Sequence, residues 1–310
     1  TSPNYQIIAS LDVGRRQVAL EGFEFEQRQI EAAMSMRKAI SSHPQLQKYF
    51  TVLTAGDMIP EQYRQSGVTS YFDNDQGWTD MWDCWEQDDF VLDATRVTLA
   101  VGGTGWDGDT FKNDVLMDRY GIQINKTSRN TVLFMTNIGT TRSSVAYLIE
   151  VLVEIANELD ELLDDASKME RLSFDRRVKN LTENYPPLPD FSRFHDAFRP
   201  DKVTPEGDIR TAYYLSYNEA NCDYMELTGS LKAALDAGDE VVSASFIIPY
   251  PPGFPILVPG QVISQEILAF MLALDVNEIH GYRADLGLRF FTPEALAQLD
   301  AAKVLKTAAE

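Results

Sequence analysis

Cysteine, histidine and basic residues are all scarce in this chain of 310 residues. The two cysteines, Cys84 and Cys222, stand far apart and have no CxxC partner. A disulfide framework and a thiol redox pair are therefore not signalled, and a reducing cytoplasm is the expected compartment. His43, His195 and His280 are scattered, without HExxH spacing or a cysteine partner, so no zinc signature exists. None of the three is followed by lysine. Lys and Arg number 27 against 47 Asp and Glu, a net charge of −20. That balance argues against nucleic acid, which needs clustered cations, and disfavours anionic membrane surfaces. No apolar run approaches the ~20 residues of a membrane span. The chain opens with TSPNYQIIASLDVG in place of a charged-then-apolar signal peptide. This start without an initiator Met reads as a chain cut from something longer.

What remains is ample for a core. Hydrophobic residues make up 44% of the chain, and the length suits two domains better than one. Residues 1–48 read as helical. Ile7, Ile8, Leu11 and Val18 form one apolar stripe; Phe23, Phe25, Ile30, Ala33 and Ile40 form a second, with Gly22 between them. His43-Pro44 ends this part, because proline removes a donor and restricts the residue before it. Residues 49–56 read as a short strand and 57–89 as an irregular, aromatic excursion. A strand follows at 96–101, then a helix over 111–120 capped by Asp109 or Thr110 and stopped by Gly121. Strands at 122–125 and 131–138 flank a turn at 128–130, and Ser143 or Ser144 caps a long amphipathic helix. This order predicts an α+β layer: a sheet with helices on one face. After the charged residues 164–180, NYPPLPDFSRF reads as a linker to a second domain. That domain carries a short helix near 191–198, a segment from Thr211, a turn and strand over 238–248, and a helix from Ser264 to about Leu274.

Several local patterns carry possible chemistry. Trp78, Trp82 and Trp85 around Cys84 resemble a stacking cage, yet loop aromatics more often form local core. DNDQG (73–77) and WDGDT (106–110) alternate carboxylates as calcium loops do, but neither has the twelve-residue loop ending in Glu. Gly102-Gly103-Thr104-Gly105 follows a strand as a phosphate cradle does, without GxGxxG or GxxxxGK[ST], and a tight turn is the better reading. GTTRSS (139–144) opens a helix where free N–H groups could take an anion; plain capping explains the same residues. No nucleophile elbow is present. PYPPGFPILVPGQ (249–261) fits a docking peptide, or two apolar runs, 246–248 and 256–258, joined by a stiff proline turn.

Four stretches together resemble one family. TSPNYQIIASLDVG (1–14), FVLDATRVTLAV (90–101), GIQINKTSRNTVLFMTNIGTT (121–141) and PYPPGFPILVPGQ (249–261) are similar, in order and spacing, to segments of bacterial ornithine/lysine/arginine decarboxylases. These are fold-type-I pyridoxal-phosphate enzymes. The resemblance implies loss of CO2 from a basic amino acid, with the cofactor as electron sink. A Ser-x-His-Lys motif holds the cofactor in the family, and it lies upstream of the segment matched by residues 1–14. The resemblance therefore implies a C-terminal half, with the large cofactor-binding domain missing. Residues 1–182 would be the small aminotransferase-like domain, including N-terminal helices 1–48, and 183–310 the family's C-terminal domain. Thr1 and Ser2 match a run close to the cofactor phosphate. Asn125 stands where the family's hairpin carries a Glu that reads the substrate's distal cation, and Gln261 stands where a Glu follows Pro-Gly. A neutral amide gives no ion pair to an ammonium. The implied partners are a basic amino acid and at least one further copy of the chain, as a homodimer or higher oligomer. The implied function is a C-terminal decarboxylase portion inactive without its Schiff-base lysine, or a non-catalytic subunit pairing with an active relative.

Overall fold

The computed structural model describes residues 3–72, 81–184, 187–200, 206–250, 253–274 and 278–307. The chain forms two compact units, residues 1–184 and 185–310. Thr1, Ser2, Trp78 and DNDQG lie outside the described residues.

Unit 1 opens with a single helix, α1 (Tyr5–Ser42), where two stripes parted at Gly22 suggest separate helices. Asn4 caps it, accepting from Gln6 and Ile7 N–H groups at 3.0 and 3.2 Å. Ile7, Leu11 and Val18 of the first stripe and Phe25, Ala33 and Ile40 of the second fall on one line. Positions 7, 11, 14, 18, 22, 25, 29, 33, 36 and 40 repeat at three- and four-residue spacing and lie on one side of the helix. Gly14 and Gly22 weaken this helix but do not break it.

Next come β1 (Thr51–Val52), α2 (Ala55–Met58) and α3 (Met81–Gln87), so the aromatic excursion is partly helical. β2 (Arg96–Ala100) leads into a helix built of α4 (Gly108–Thr110), a π-type turn Phe111–Met117 and α5 (Asp118–Tyr120). Asp107, one turn earlier than Asp109 or Thr110, is its cap, accepting from Thr110 N–H at 2.9 Å. Gly121 ends it with φ 66°. β3 (Lys126–Thr127) and β4 (Thr131–Met135) form a hairpin, and α6 (Arg142–Asp165) and α7 (Lys168–Thr182) complete the unit. Thr141 caps α6, accepting from Ser144 N–H at 3.1 Å. The charged stretch after α6 is helical because Ser167 and Glu170 form a reciprocal capping box.

The sheet runs β1-β2-β4-β3, antiparallel throughout. Val97, Leu99, Val132 and Phe134 point inward from alternating positions. Ala33, Met36 and Ile40 of α1, Leu148, Leu152 and Ile155 of α6, and Phe111 and Leu116 pack on them in one cluster. Helices on one face of a sheet is the architecture expected from the element order. Arg37 of α1 bridges to the sheet, its guanidinium donating to the carbonyls of Ala94 and Arg96. Burial pushes that guanidinium down to about 10, with Tyr71 and Asp93 opposing the shift.

Unit 2 contains α8 (Ile209–Leu215), β5 (Cys222–Met225), α9 (Lys232–Ala237), β6 (Val241–Val242), β7 (Ile248–Tyr250) and β8 (Val262–Ile263). α10 (Gln265–Ala273), β9 (Glu278–His280), β10 (Tyr282–Arg283), β11 (Gly287–Phe291) and α11 (Pro293–Thr307) follow. Residues 191–198 form only a 3₁₀ turn, Asp196–Phe198. A three-stranded sheet, β10-β11-β5, is accompanied by the ribbons β6-β8 and β7-β9. Residues 246–248 and 256–258 meet in a single antiparallel bridge, Ile247 with Leu257, because β7 takes β9 as its partner. Among the described residues no helix is long and apolar enough to cross a membrane.

One polar hub ties α6 to the chain leaving α1. Asp160 accepts from Gln45 at 2.7 Å, Lys48 at 2.5 Å and Tyr49 at 2.6 Å. These bonds, with Lys48 foremost, hold the Asp160 carboxyl at about 2. A carboxyl lowered on folding adds stability above its unfolded value of about 3.9, and that stability is lost as pH falls toward 2. Asp160→Asn therefore lowers the melting temperature at pH 7, and the gap from the unsubstituted protein closes between about pH 4 and 2. Thermal melts at several pH values check this; a gap that is constant with pH contradicts it.

Candidate functional site

The hairpin β3-β4 is held at its tip by contacts that leave its outer edge open. Thr127 Oγ1 donates to Asp109 Oδ1 at 2.6 Å, and Ser128 N–H bonds to Thr131 O at 2.9 Å. Gly108 N–H reaches Arg129 O at 2.9 Å, while Asn130 Nδ2 donates to Leu181 O at 3.0 Å. The first turn of α4 thus lies directly on the hairpin. A Cβ on Gly108 would sit 2.1 Å from Ser128 O and 2.7 Å from Thr131 O, so only glycine allows the approach. Asn125 sits just before β3, its N–H donating to Leu133 O at 3.2 Å and its side chain exposed. The fold presents residue 125 on a fixed edge, and what it presents is a neutral amide.

Gln261 belongs to unit 2, and both ends of its amide are engaged. Oε1 accepts from Val258 N–H at 2.8 Å, and Nε2 donates to Phe191 O. Its backbone adds a bond from Ser243 N–H to Gln261 O at 2.8 Å. One side chain therefore closes the ILVPG turn and clamps it to the segment entering the unit. A carboxylate could accept from Val258 but could not donate to Phe191. Gly260, with φ 95°, makes the bend that aims Gln261 inward. No pattern in the sequence announced this clamp, since it joins residues 70 apart.

The other candidates resolve into structure. Gly102–Thr104 is a 3₁₀ turn packed against α7, and a Cβ on Gly103 would lie 2.7 Å from Tyr49 O. Asp107 spends both carboxylate oxygens on Thr110. Trp82 and Trp85 lie on α3, largely exposed, with ring centroids 6.4 Å apart. No group of three His, Cys, Asp or Glu among the described residues could hold a metal. A cavity of about 620 Å³ lies between α1 and the loop entering α6, and includes Arg28, Gln29, Thr140, Thr141 and Arg142. Its polar groups are largely committed: Arg28 to Glu24, Thr140 Oγ1 to Asn137 N–H, Thr141 Oγ1 to Ser144.

Comparison with known proteins places these features in a family. The model of the Orn/Lys/Arg decarboxylase major domain matches residues 1–144, and that of the family's C-terminal domain matches 211–286. The constitutive lysine decarboxylase of Escherichia coli is 25% identical over 92% of this chain and 42% of that protein. The arginine decarboxylase of Bacillus subtilis is 22% identical over 87% of this chain and 41% of its own length. The chain belongs to the Orn/Lys/Arg decarboxylase family. The fold agrees. The solved constitutive lysine decarboxylase of E. coli superposes with a TM-score of 0.52 at 19% identity, over 94% of this chain and 44% of that one. Lysine decarboxylase A from Pseudomonas aeruginosa gives 0.53 at 18% identity, over 94% and 43%.

The chain thus spans about two fifths of the length of these relatives. The lysine motif that the resemblance ties to pyridoxal phosphate is not in this sequence. His43, His195 and His280 are followed by Pro44, Asp196 and Gly281, so no His-Lys pair exists to supply a Schiff base. No lysine lines the 620 Å³ cavity. Gly108→Ala tests how firmly the hairpin edge is placed: the added methyl must displace Ser128 and the strand behind it. We expect a loss of about 1–3 kcal/mol in urea unfolding, with the largest amide shifts at 125–131. A loss below about 0.5 kcal/mol would show that the hairpin does not depend on this contact.

Proposed function

We propose that this chain is the C-terminal portion of a pyridoxal-phosphate-dependent decarboxylase of lysine, arginine or ornithine, working with a separate or preceding cofactor-binding part. Family membership supplies the class of reaction. The observation that carries the incompleteness is the surface of α1. Its apolar face is buried in unit 1 from Gln29 to Ile40, yet the same face continues uncovered toward the N-terminus. Leu11 is 67% exposed and Val18 54%, with Ile7 beside them. On the opposite side Leu20 is 76% exposed and Phe23 87%. A helix apolar on both sides belongs inside a larger body. Gly14 has no neighbour within 4 Å, and Gly22 meets only Val18 of its own helix, so the space beside both stands ready for a close-packed partner.

In this reading units 1 and 2 correspond to the small and C-terminal domains, and Thr1 and Ser2 lie near the cofactor phosphate. Asn125 stands at the position that meets the substrate's distal cation, whereas the Gln261 side chain, engaged by Val258 and Phe191, serves the turn and not the substrate. At least a dimer and a reducing cytoplasm go with it. A second reading, a non-catalytic subunit paired with an active relative, is favoured by one observation. Asn125 offers no charge where an ammonium would need one.

Complementation separates the two. The chain is mixed with a polypeptide carrying the cofactor-binding part of a lysine decarboxylase, and binding and CO2 release are measured. The first reading expects assembly and release of CO2 from one of the three amino acids. Leu11→Asp with Val18→Asp should leave the isolated chain folded and weaken assembly at least about 100-fold, as each lost apolar contact costs about 1.5–3 kcal/mol. Assembly without turnover, with lysine turnover appearing in Asn125→Glu, supports the second reading. Undiminished assembly by the double variant contradicts the role given to α1.

A further inference from the structure

Unit 2 contains a hollow of about 210 Å³ that the proposed function does not use, between α8 and the turn joining β6 to β7. Its walls are aromatic. Tyr213 meets Tyr217 edge-on at 5.2 Å and 86°, and meets Phe246 at 5.9 Å and 64°. The ring faces are anchored: Tyr213 and Tyr217 share a hydrogen bond between their hydroxyls at 2.8 Å. That bond uses one of two O–H protons and leaves the other free to donate.

Ser216 in its wall donates to Tyr213 O at 2.7 Å, but two other polar side chains there, Arg289 and Ser245, make no hydrogen bond among the described residues. Arg289 of β11 lines it, half-buried, and its guanidinium makes no hydrogen bond or ion pair among the described residues. The Ser245 hydroxyl is fully buried and has no hydrogen-bond partner. None of the residues lining the hollow is Asp or Glu, in a chain that has 47 of them. A half-buried cation and a buried hydroxyl that both lack partners are each costly until an acceptor reaches them. An anion satisfies both, and the flanking rings add an apolar slot sized for one ring.

We propose that this hollow binds a small carboxylate carried on a flat aromatic body. Arg289 and the Ser245 hydroxyl take the carboxylate, and Tyr213, Tyr217 and Phe246 flank the ring. The planar guanidinium matches a carboxylate in two parallel bonds, which selects it over a neutral or cationic head. The small volume limits the occupant to a single ring, below the roughly 300 Å³ at which drug-sized sites begin. This inference rests on unit 2 alone and holds or fails independently of the decarboxylase reading.

Titration calorimetry of the full chain with benzoate, benzyl alcohol and benzylamine tests it. Benzoate should saturate one site with a Kd of about 0.1–1 mM, and the other two should bind at least about 10-fold more weakly. Arg289→Gln should weaken benzoate about 10-fold or more without changing benzyl alcohol, and Ser245→Ala should weaken it about 3-fold. The head-group comparison needs no variant, so it decides even if Arg289→Gln fails to fold. Equal binding of benzylamine, no saturation by about 10 mM benzoate, or an unchanged Kd in a folded Arg289→Gln would overturn the proposal.

Discussion

One helix face governs unit 1. From Gln29 to Ile40 the apolar side of α1 supplies Ala33, Met36 and Ile40 to the core beneath the sheet. Arg37, emerging beside that face, fixes the helix to the backbone entering and following the first residue of β2. The sheet then has a floor on which α6 and the Phe111 turn close. Each of these elements depends on that face being straight and continuous. The same continuity has a consequence at the other end. A face built to bury apolar side chains keeps its pattern past Phe25 toward Tyr5, where unit 1 offers nothing to bury it against. Hydrophobic burial is worth about 25 cal/mol per Å² removed from water, so an uncovered stripe of this length is a strong drive toward association.

Around that core, the positions that matter for recognition are set by close backbone approaches. Gly108 lets a helix turn rest on Ser128 and Thr131, which fixes the β3-β4 edge carrying Asn125. Gly260 and Gln261 do the corresponding work in unit 2, where an amide that both donates and accepts closes the proline-rich turn. The chemistry of that clamp gives Gln at 261 a structural reason to differ from Glu. The Asn125 side chain makes no such internal bond among the described residues, and its identity bears on whatever meets the open edge.

The class of fold was legible because the sheet residues alternate and α6 repeats at helical spacing. Val97, Leu99, Val132 and Phe134 show a period of two, and Leu148, Leu152, Ile155 and Leu159 a period near 3.6. α1 was legible as helical but not as one piece, because Gly22 looks like punctuation when its neighbours are unknown. α7 was hidden by its charge; the Ser167–Glu170 capping box was its one local signal. No strand forms at the expected 122–125; the pairing lies just beyond it at Lys126–Thr127, the residues that find register with Leu133 and Val132. Of the two readings of the proline-rich segment, the one in which the flanking apolar runs meet agrees with the structure, though by one bridge rather than two full strands. Neither the Gln261 clamp nor the Arg289 hollow was legible. Each joins residues from distant parts of the sequence, and only tertiary geometry shows which donors lack acceptors.

The central claim is that this chain holds part of a decarboxylase while its Schiff-base lysine lies on another part. Incubation of the purified chain with pyridoxal phosphate, followed by borohydride reduction and peptide mass analysis, tests it most directly. The account predicts no stoichiometric adduct at any single lysine and no turnover of lysine, arginine or ornithine. One lysine reduced stoichiometrically, with amino-acid turnover before reduction, would contradict it.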